Sequence, residues 1–154
     1  MRNAIPLAGR PAILVVMLAG IPAVAADRVN PFDDPFLQVT SGIAGCPVPE
    51  GPRMSEEQMR AQAHVRSERG LRCYLEGKCR LPNAYMYDQE IIPRVKKAVE
   101  ANGRFADTSV WAEGQRRWVT LKGCVHSREQ AKALADLVRG IDDVEKVIDQ
   151  LEVR

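Results

Sequence analysis

The sequence predicts an α+β fold for its C-terminal part, with the element order helix, strand, strand, helix, strand over residues 85–154. Two observations predict this order: apolar residues recur at helical spacing in two segments, and they alternate with polar residues in three others. A third observation separates off residues 27–84, where a Pro- and Gly-rich stretch precedes one short helix. These residues are therefore expected to form an extension in front of the α+β domain.

The first helix of the domain is predicted from apolar residues between Ile91 and Val99. Proline is comfortable only in the first turn of a helix, so Pro93 predicts that the regular helix begins close to Ile92 or kinks there. The helix is expected to end at Asn102-Gly103.

The middle of the domain is predicted to be an antiparallel β-hairpin. Residues 108–113 and 119–125 alternate between apolar and polar side chains, as strands with one buried face do. Residues 113–115, Glu-Gly-Gln, are typical of the turn between them. A capping box at Ser127 then predicts the second helix, which Gly140 ends, and residues 147–153 alternate as a last strand.

The extension has two predicted parts. Residues 27–53 contain too many prolines and glycines for a helix or a central strand, so this stretch should be extended or turn-rich and lie on a surface. Ser55 begins a second capping box, which predicts a mostly solvent-facing helix to about Arg69. Gly70 is expected to end that helix.

Residues 1–26 predict a cleaved signal peptide. They contain two arginines, an apolar run at 12–19 and Ala-Val-Ala at 23–25, which are the three parts of such a signal in order. The run is too short for a membrane span, which needs about 20 residues. We therefore expect a periplasmic protein with no transmembrane span in the mature chain. Cleavage of the signal would remove its two arginines and leave 20 basic residues, equal to the 20 acidic ones. The mature chain would then be formally neutral, so its net charge gives no reason to expect binding to nucleic acid.

Four cysteines, Cys46, Cys73, Cys79 and Cys124, lie outside the predicted signal. An even number in an exported chain predicts two disulfides, with three possible pairings. The Cys-x-x-Cys spacing of zinc sites and thioredoxin-like redox centres does not occur in the sequence. The sequence thus predicts no metal and no cofactor. A nucleophilic pair of Cys124 with His126 is disfavoured, because an oxidising compartment leaves no reactive thiolate.

Three stretches resemble the BON domain: VTLKGCV at 119–125, SRE at 127–129 and GIDDVEKV at 140–147. The resemblance covers residues 85–154. It implies two helices packed on one face of a three-stranded mixed sheet, residence in the periplasm or cell envelope, and no catalytic residues. It also implies binding to phospholipid surfaces or to other envelope proteins.

Strand alternation then assigns the two faces of this sheet. One set should face the helices: Val110, Val119, Leu121, Val125, Leu151 and Val153. Gly123 lies among them and is expected to allow a helix to approach closely. The opposite face would carry Trp111, Trp118, Thr120, Lys122 and Cys124, an unusual set for a solvated surface. We therefore expect the extension to cover that face, with Cys46 bonded to Cys124 and Cys73 to Cys79.

The candidate contact residues lie near the hairpin tip. Arg116 and Arg117 precede Trp118, and Arg104 is in a loop expected to be near them. An arginine pair beside a tryptophan suits a phosphate headgroup at a membrane interface. Two functions follow: an exported module that binds phospholipid and supports envelope integrity, or an assembly module that docks on another envelope or secretion-system protein. The sequence leaves the choice, and the oligomeric state, open.

Overall fold

The protein is described by a computed structural model over residues 28–154, so the predicted signal peptide lies outside the described residues. Seven helices and strands follow one another in this part of the chain, with one 3₁₀ turn at Ala84–Tyr87. They are β1 (Phe36–Ser41), α1 (Glu56–Leu75), α2 (Asp88–Asn102), β2 (Ser109–Gln115), β3 (Trp118–Val125), α3 (Arg128–Arg139) and β4 (Lys146–Val153).

The strands form one mixed sheet in the order β1-β2-β3-β4. β1, β2 and β3 are antiparallel neighbours, whereas β4 runs parallel to β3. The prediction of a three-stranded sheet is therefore wrong, because the sheet has a fourth strand, β1. Residues 36–41 contain neither proline nor glycine, and they add to the outer edge of β2. An edge strand needs partners on one side only, so the prolines around it do not prevent pairing.

The core lies between the sheet and helices α2 and α3. Ile91, Val95 and Val99 of α2 and Leu134 and Val138 of α3 are fully buried in one cluster. The sheet residues predicted to face the helices are buried in the same cluster: Val110, Val119, Leu121, Val125 and Leu151. Val153, the sixth, is 45% exposed, because it lies at the end of an edge strand beyond the reach of the helices.

Two predicted helix boundaries are wrong. α2 begins at Asp88 and runs through Pro93, and the buried residues on both sides of the proline hold the helix on the sheet despite the missing N–H. α1 continues past Gly70 to Leu75. A Cβ on Gly70 would lie 2.3 Å from Oδ1 of Asn83, so this glycine serves close packing inside the helix rather than its end.

Gly123 has a different role from the predicted one. Its φ is +119°, and a Cβ there would lie 2.2 Å from the carbonyl oxygen of Ser109. Ser109 belongs to the neighbouring strand β2, so the close approach comes from strand backbone and not from a helix. Only glycine combines this φ with this contact.

Among residues 28–154, no helix is both long and apolar enough to cross a membrane.

Candidate functional site

The hairpin tip is a two-residue turn. Gln115 and Trp118 form the last pair of β2 and β3, and Arg116 and Arg117 between them have φ values of 58° and 64°. The turn predicted at Glu113–Gln115 is thus wrong, because β2 continues through those residues. Positive φ at both central positions matches the twist of a hairpin but is costly for side chains other than Gly, Asn or Asp.

Asp88 at the start of α2 stabilises this turn. Its carboxylate accepts the backbone N–H of Arg116 at 2.6 Å and that of Arg117 at 2.7 Å. The side chain is almost fully buried, and burial raises the pKa of Asp88 to about 7, although the two N–H bonds act in the opposite direction. Two arginines are therefore held at the tip by a carboxylate that titrates near neutral pH.

The side chain of Arg116 lies over Trp118. Its guanidinium carbon is 4.5 Å from the centroid of the indole ring, and Nζ of Lys146 is 4.6 Å from the same ring. The indole Nε1 is buried and has no hydrogen-bond partner among residues 28–154. The tip thus presents one half-buried tryptophan flanked by two cations.

Arg117 is oriented into the protein. Its Nε donates to the carbonyl of Asp143 at 2.8 Å, and one terminal nitrogen lies 3.3 Å from Sγ of Cys79. The guanidinium also stacks over Tyr87 at 5.2 Å. Much of its hydrogen-bonding capacity is used internally, so Arg116 is the more available of the two tip arginines.

Arg104 lies away from the tip. It follows the C-terminal end of α2, whereas the N-terminal end of α2 contacts the hairpin through Asp88. A helix of 15 residues separates the two ends by roughly 20 Å. Arg104 instead donates to Asn102 and lies over Phe105. The expectation that it joins the hairpin site is therefore wrong.

A basic cleft opens between the hairpin tip and the end of α1. Its volume is about 440 Å³. Five basic side chains and two acidic ones line it, together with Cys73 and Ala84: Arg69, Arg72, Lys78, Arg116, Arg117, Glu76 and Glu145. Glu76 is paired with Lys78 at 2.9 Å. Sequence reasoning missed the contribution of α1, although Arg69 and Arg72 are three residues apart and so share a helix face.

The position of α1 depends on a buried ion pair. Arg66 donates to both carboxylate oxygens of Asp34, at 2.9 and 2.5 Å. Its guanidinium lies between the rings of Phe32 and Tyr85, at 4.2 and 3.9 Å from their centroids. The Cys73–Cys79 disulfide then ties the last turn of α1 to the chain that leads into the domain. These contacts hold the basic side chains of α1 beside the hairpin.

The second disulfide lies on the other face of the sheet. Cys46 is bonded to Cys124 across 78 residues, as predicted. Beyond Cys46 the Pro-rich segment follows the sheet, and Lys122 donates to the carbonyl of Glu50 at 3.0 Å. Cys124 and Trp111 are buried, whereas Trp118 remains partly exposed. The extension thus covers part of this face and leaves the hairpin tip accessible.

In the part of the chain that the structure describes, no group of three or more His, Cys, Asp or Glu side chains could hold a metal ion.

The elements α2, β2, β3, α3 and β4 follow one another in the C-terminal part of the chain, with both helices on one face of the sheet. Residues 87–154 match the family model of the BON domain. The C-terminal part of this chain is a BON domain. The match begins at Tyr87, so the extension with β1, α1 and three of the cysteines lies outside it. No curated protein matches the chain.

BON domains are binding modules of periplasmic or membrane-associated proteins and not catalysts. The two disulfides of this chain fit an oxidising compartment.

Proposed function

We propose that this protein is an exported cell-envelope module that binds phospholipid membrane surfaces and supports envelope integrity without catalysis. One observation carries the proposal: Arg116 of the BON domain lines the same cleft as Arg69, Arg72 and Lys78 of the extension. A phosphate in this cleft would meet guanidinium groups from two sides. Arginine is the side chain best suited to bind such a group through parallel hydrogen bonds.

Local charge supports anionic lipid as the ligand. The chain without its predicted signal has no net charge, so attraction to a membrane must come from a local cluster. The cleft is such a cluster, since five of its side chains are basic and two acidic, and one of the acidic ones, Glu76, is already paired with Lys78. Trp118, beneath Arg116, adds an aromatic ring of the kind enriched at the headgroup level of membranes.

Vesicle flotation of the mature chain, residues 27–154, tests the proposal. We expect flotation with vesicles that contain phosphatidylglycerol and little with vesicles of phosphatidylcholine alone. Arg69→Glu/Arg116→Glu should reduce binding at least roughly tenfold, because each basic residue near an anionic surface contributes about 1 kcal/mol.

The matched control is Lys97→Glu/Lys132→Glu, which changes the net charge equally at two exposed positions on α2 and α3. Its binding should stay close to that of the parent. Equal losses in the two double variants would show that net charge matters and the cleft does not, and an unchanged cleft variant would contradict the proposal.

A second candidate is an assembly module that docks on another envelope or secretion-system protein. The outer edge of β4 favours it, since within residues 28–154 β4 pairs with β3 alone and leaves backbone groups along its other side unpaired by the sheet. Such an edge can accept a partner strand. Failure of the purified protein to float with anionic vesicles in the absence of any partner would favour this function over lipid binding.

A further inference from the structure

The Cys73–Cys79 disulfide lies at the basic cleft, beside a guanidinium group. Cys73 lines the cleft, and Sγ of Cys79 lies 3.3 Å from a terminal nitrogen of Arg117. Both cysteines are half-buried, so solvent reaches part of each, whereas Cys124 of the other disulfide is 1% exposed. Accessible disulfides are more easily reduced than buried ones, and disulfides that regulate a protein belong to this accessible class.

Charge around this disulfide favours its reduction by a thiolate. Five basic side chains and two acidic ones line the cleft together with Cys73, so an anionic thiolate is attracted to it. A disulfide opens faster when the departing sulfur is a stable thiolate. The guanidinium of Arg117 would stabilise a thiolate on Cys79, as cations beside a cysteine do. The favoured reaction is therefore attack on Cys73 from the cleft, with Cys79 as the leaving sulfur.

The same bond holds part of the cleft in place. The middle of α1 is fixed by the buried pair of Arg66 and Asp34 and by the close packing at Gly70. Residues 71–75, the end of the helix, are exposed or half-buried, and the disulfide ties them to the chain that leads into the BON domain. Opening the bond would therefore release the end of α1, and with it the cleft cations Arg72 and Lys78, while the rest of the helix stays on the domain.

We propose that the Cys73–Cys79 disulfide is a redox switch of the cleft: a dithiol reductant opens it, and the open form binds anionic lipid less tightly. This proposal rests on the proposed function and adds its regulation. One thiolate of the dithiol attacks Sγ of Cys73, the S–S bond breaks, and its electron pair stays on Cys79 beside Arg117.

The second thiolate of the reductant completes the exchange. It attacks the mixed disulfide and displaces Cys73, so that the reductant leaves as a disulfide. Two electrons pass to this protein, and the thiol protons of the reductant pass to the new thiols or to solvent. Reoxidation by a disulfide reagent reverses each step and closes the switch.

The first test uses the reciprocity between lipid binding and reduction. If the open form binds lipid more weakly by some factor, bound lipid must oppose reduction by the same factor. We equilibrate the mature chain in dithiothreitol buffers of defined ratio, with and without phosphatidylglycerol vesicles, and count free thiols by alkylation and peptide mapping. Reduction of Cys73–Cys79 should require roughly tenfold more reducing buffer with these vesicles, because two cations of the cleft lose their place in the open form. Phosphatidylcholine vesicles should cause no shift, and Cys46–Cys124 should stay bonded throughout.

The second test concerns Arg117. Reduction of Cys73–Cys79 by dithiothreitol should be slower in Arg117→Met, roughly threefold to tenfold, because the leaving thiolate loses its cation. Arg117→Lys should restore part of the rate. A purely structural role would give the opposite result, since lost packing would expose the bond and speed its reduction. Arg116→Met removes the neighbouring cation, which lies over Trp118, and should change the rate less. Circular dichroism verifies that each variant is folded.

Vesicle flotation of Cys73→Ser/Cys79→Ser, which imitates the open form without any reductant, separates this proposal from the one on which it rests. We expect this variant to bind phosphatidylglycerol vesicles roughly tenfold more weakly than the oxidised parent. Equal binding by the two proteins, or reduction that vesicles do not affect, overturns the switch and leaves the cleft as a lipid site. Failure of the oxidised parent to float overturns the proposed function itself, and with it the control of lipid binding.

Discussion

The carboxylate of Asp88 accepts the backbone N–H of Arg117 at 2.7 Å, across 29 residues of chain. The same carboxylate accepts the N–H of Arg116, so one buried side chain holds both residues of the hairpin turn in a backbone conformation that arginine rarely adopts. The first residue of α2 thereby fixes the orientation of the hairpin tip and of the cation at the mouth of the basic cleft.

Stability is expected to depend on pH through Asp88. Burial raises its pKa in the folded protein to about 7, above the value of about 4 in an unfolded chain. The folded state therefore binds this proton more tightly, and its contribution to stability is complete below about pH 4 and is lost as pH rises through about 7. Urea unfolding from pH 4 to 8 gives the slope of the free energy of unfolding against pH, and Asp88→Asn should remove the contribution of Asp88 to that slope.

The control for that experiment is Asp136→Asn, which changes a largely exposed carboxylate on α3. It should retain the pH slope of the parent between pH 4 and 8. A slope that is the same in the parent and in Asp88→Asn would mean that the carboxylate of Asp88 does not keep its proton to near-neutral pH in the folded protein.

Removing the buried arginine should destabilise the protein strongly. Asp34 is 4% exposed, so Arg66→Met leaves a carboxylate buried without its partner, which costs about 3–5 kcal/mol. Adding Asp34→Asn should restore part of the loss. Arg60→Met removes an exposed pair with Glu56 from the same helix and should change the free energy of unfolding by less than about 1 kcal/mol. Urea titration of the parent and of these three variants measures the four free energies of unfolding.

Gly123→Ala is expected to be among the most damaging single changes in the sheet. The alanine Cβ would meet both an unfavourable φ and the carbonyl oxygen of Ser109. Gly45→Ala separates the two effects, since Gly45 has a φ of +74° and no atom within 4 Å of an added Cβ. We expect a loss of roughly 1–2 kcal/mol for Gly45→Ala and a clearly larger one for Gly123→Ala. Equal losses by thermal unfolding would contradict the contact argument.

The two disulfides should contribute unequally. Replacing Cys46 and Cys124 by serine opens a connection across 78 residues, for which chain entropy predicts a loss of about 4–5 kcal/mol. The corresponding change at Cys73 and Cys79, six residues apart, should cost about 2 kcal/mol. Partial reduction followed by alkylation and peptide mapping should show Cys73 and Cys79 modified first. Both of these cysteines are half-buried, whereas in the other disulfide only Cys46 is half-buried and Cys124 is 1% exposed.

Much of the domain was predictable because its signals are local. The capping box at Ser55 and the apolar stripe of α3 define helices through contacts between near neighbours in the chain, and strand alternation correctly placed Val119 and Leu121 in the core. The face that carries Cys124 followed from the same alternation, and with it the pairing to Cys46. The sequence showed the two arginines at the tip as a pair, but it did not show which of them is available for binding.

Errors arose where the decisive contact was distant in sequence. The hairpin turn moved to Arg116 and Arg117 because Asp88 supplies acceptors that the turn residues themselves lack. α1 passes Gly70 because Asn83 packs on it, and β1 forms because the edge of β2 is free.

The sequence by itself determined the α+β class, the capping boxes, the strand faces and the presence of cysteines for two disulfides, since each depends on the periodicity or chemistry of nearby residues. Only the tertiary structure decided the fourth strand, the position of the turn and the basic cleft. The cleft unites Arg69 of the extension with Arg116 of the BON domain. Their proximity results from the buried pair of Arg66 and Asp34 and from the fold of the sheet, neither of which any local pattern specifies.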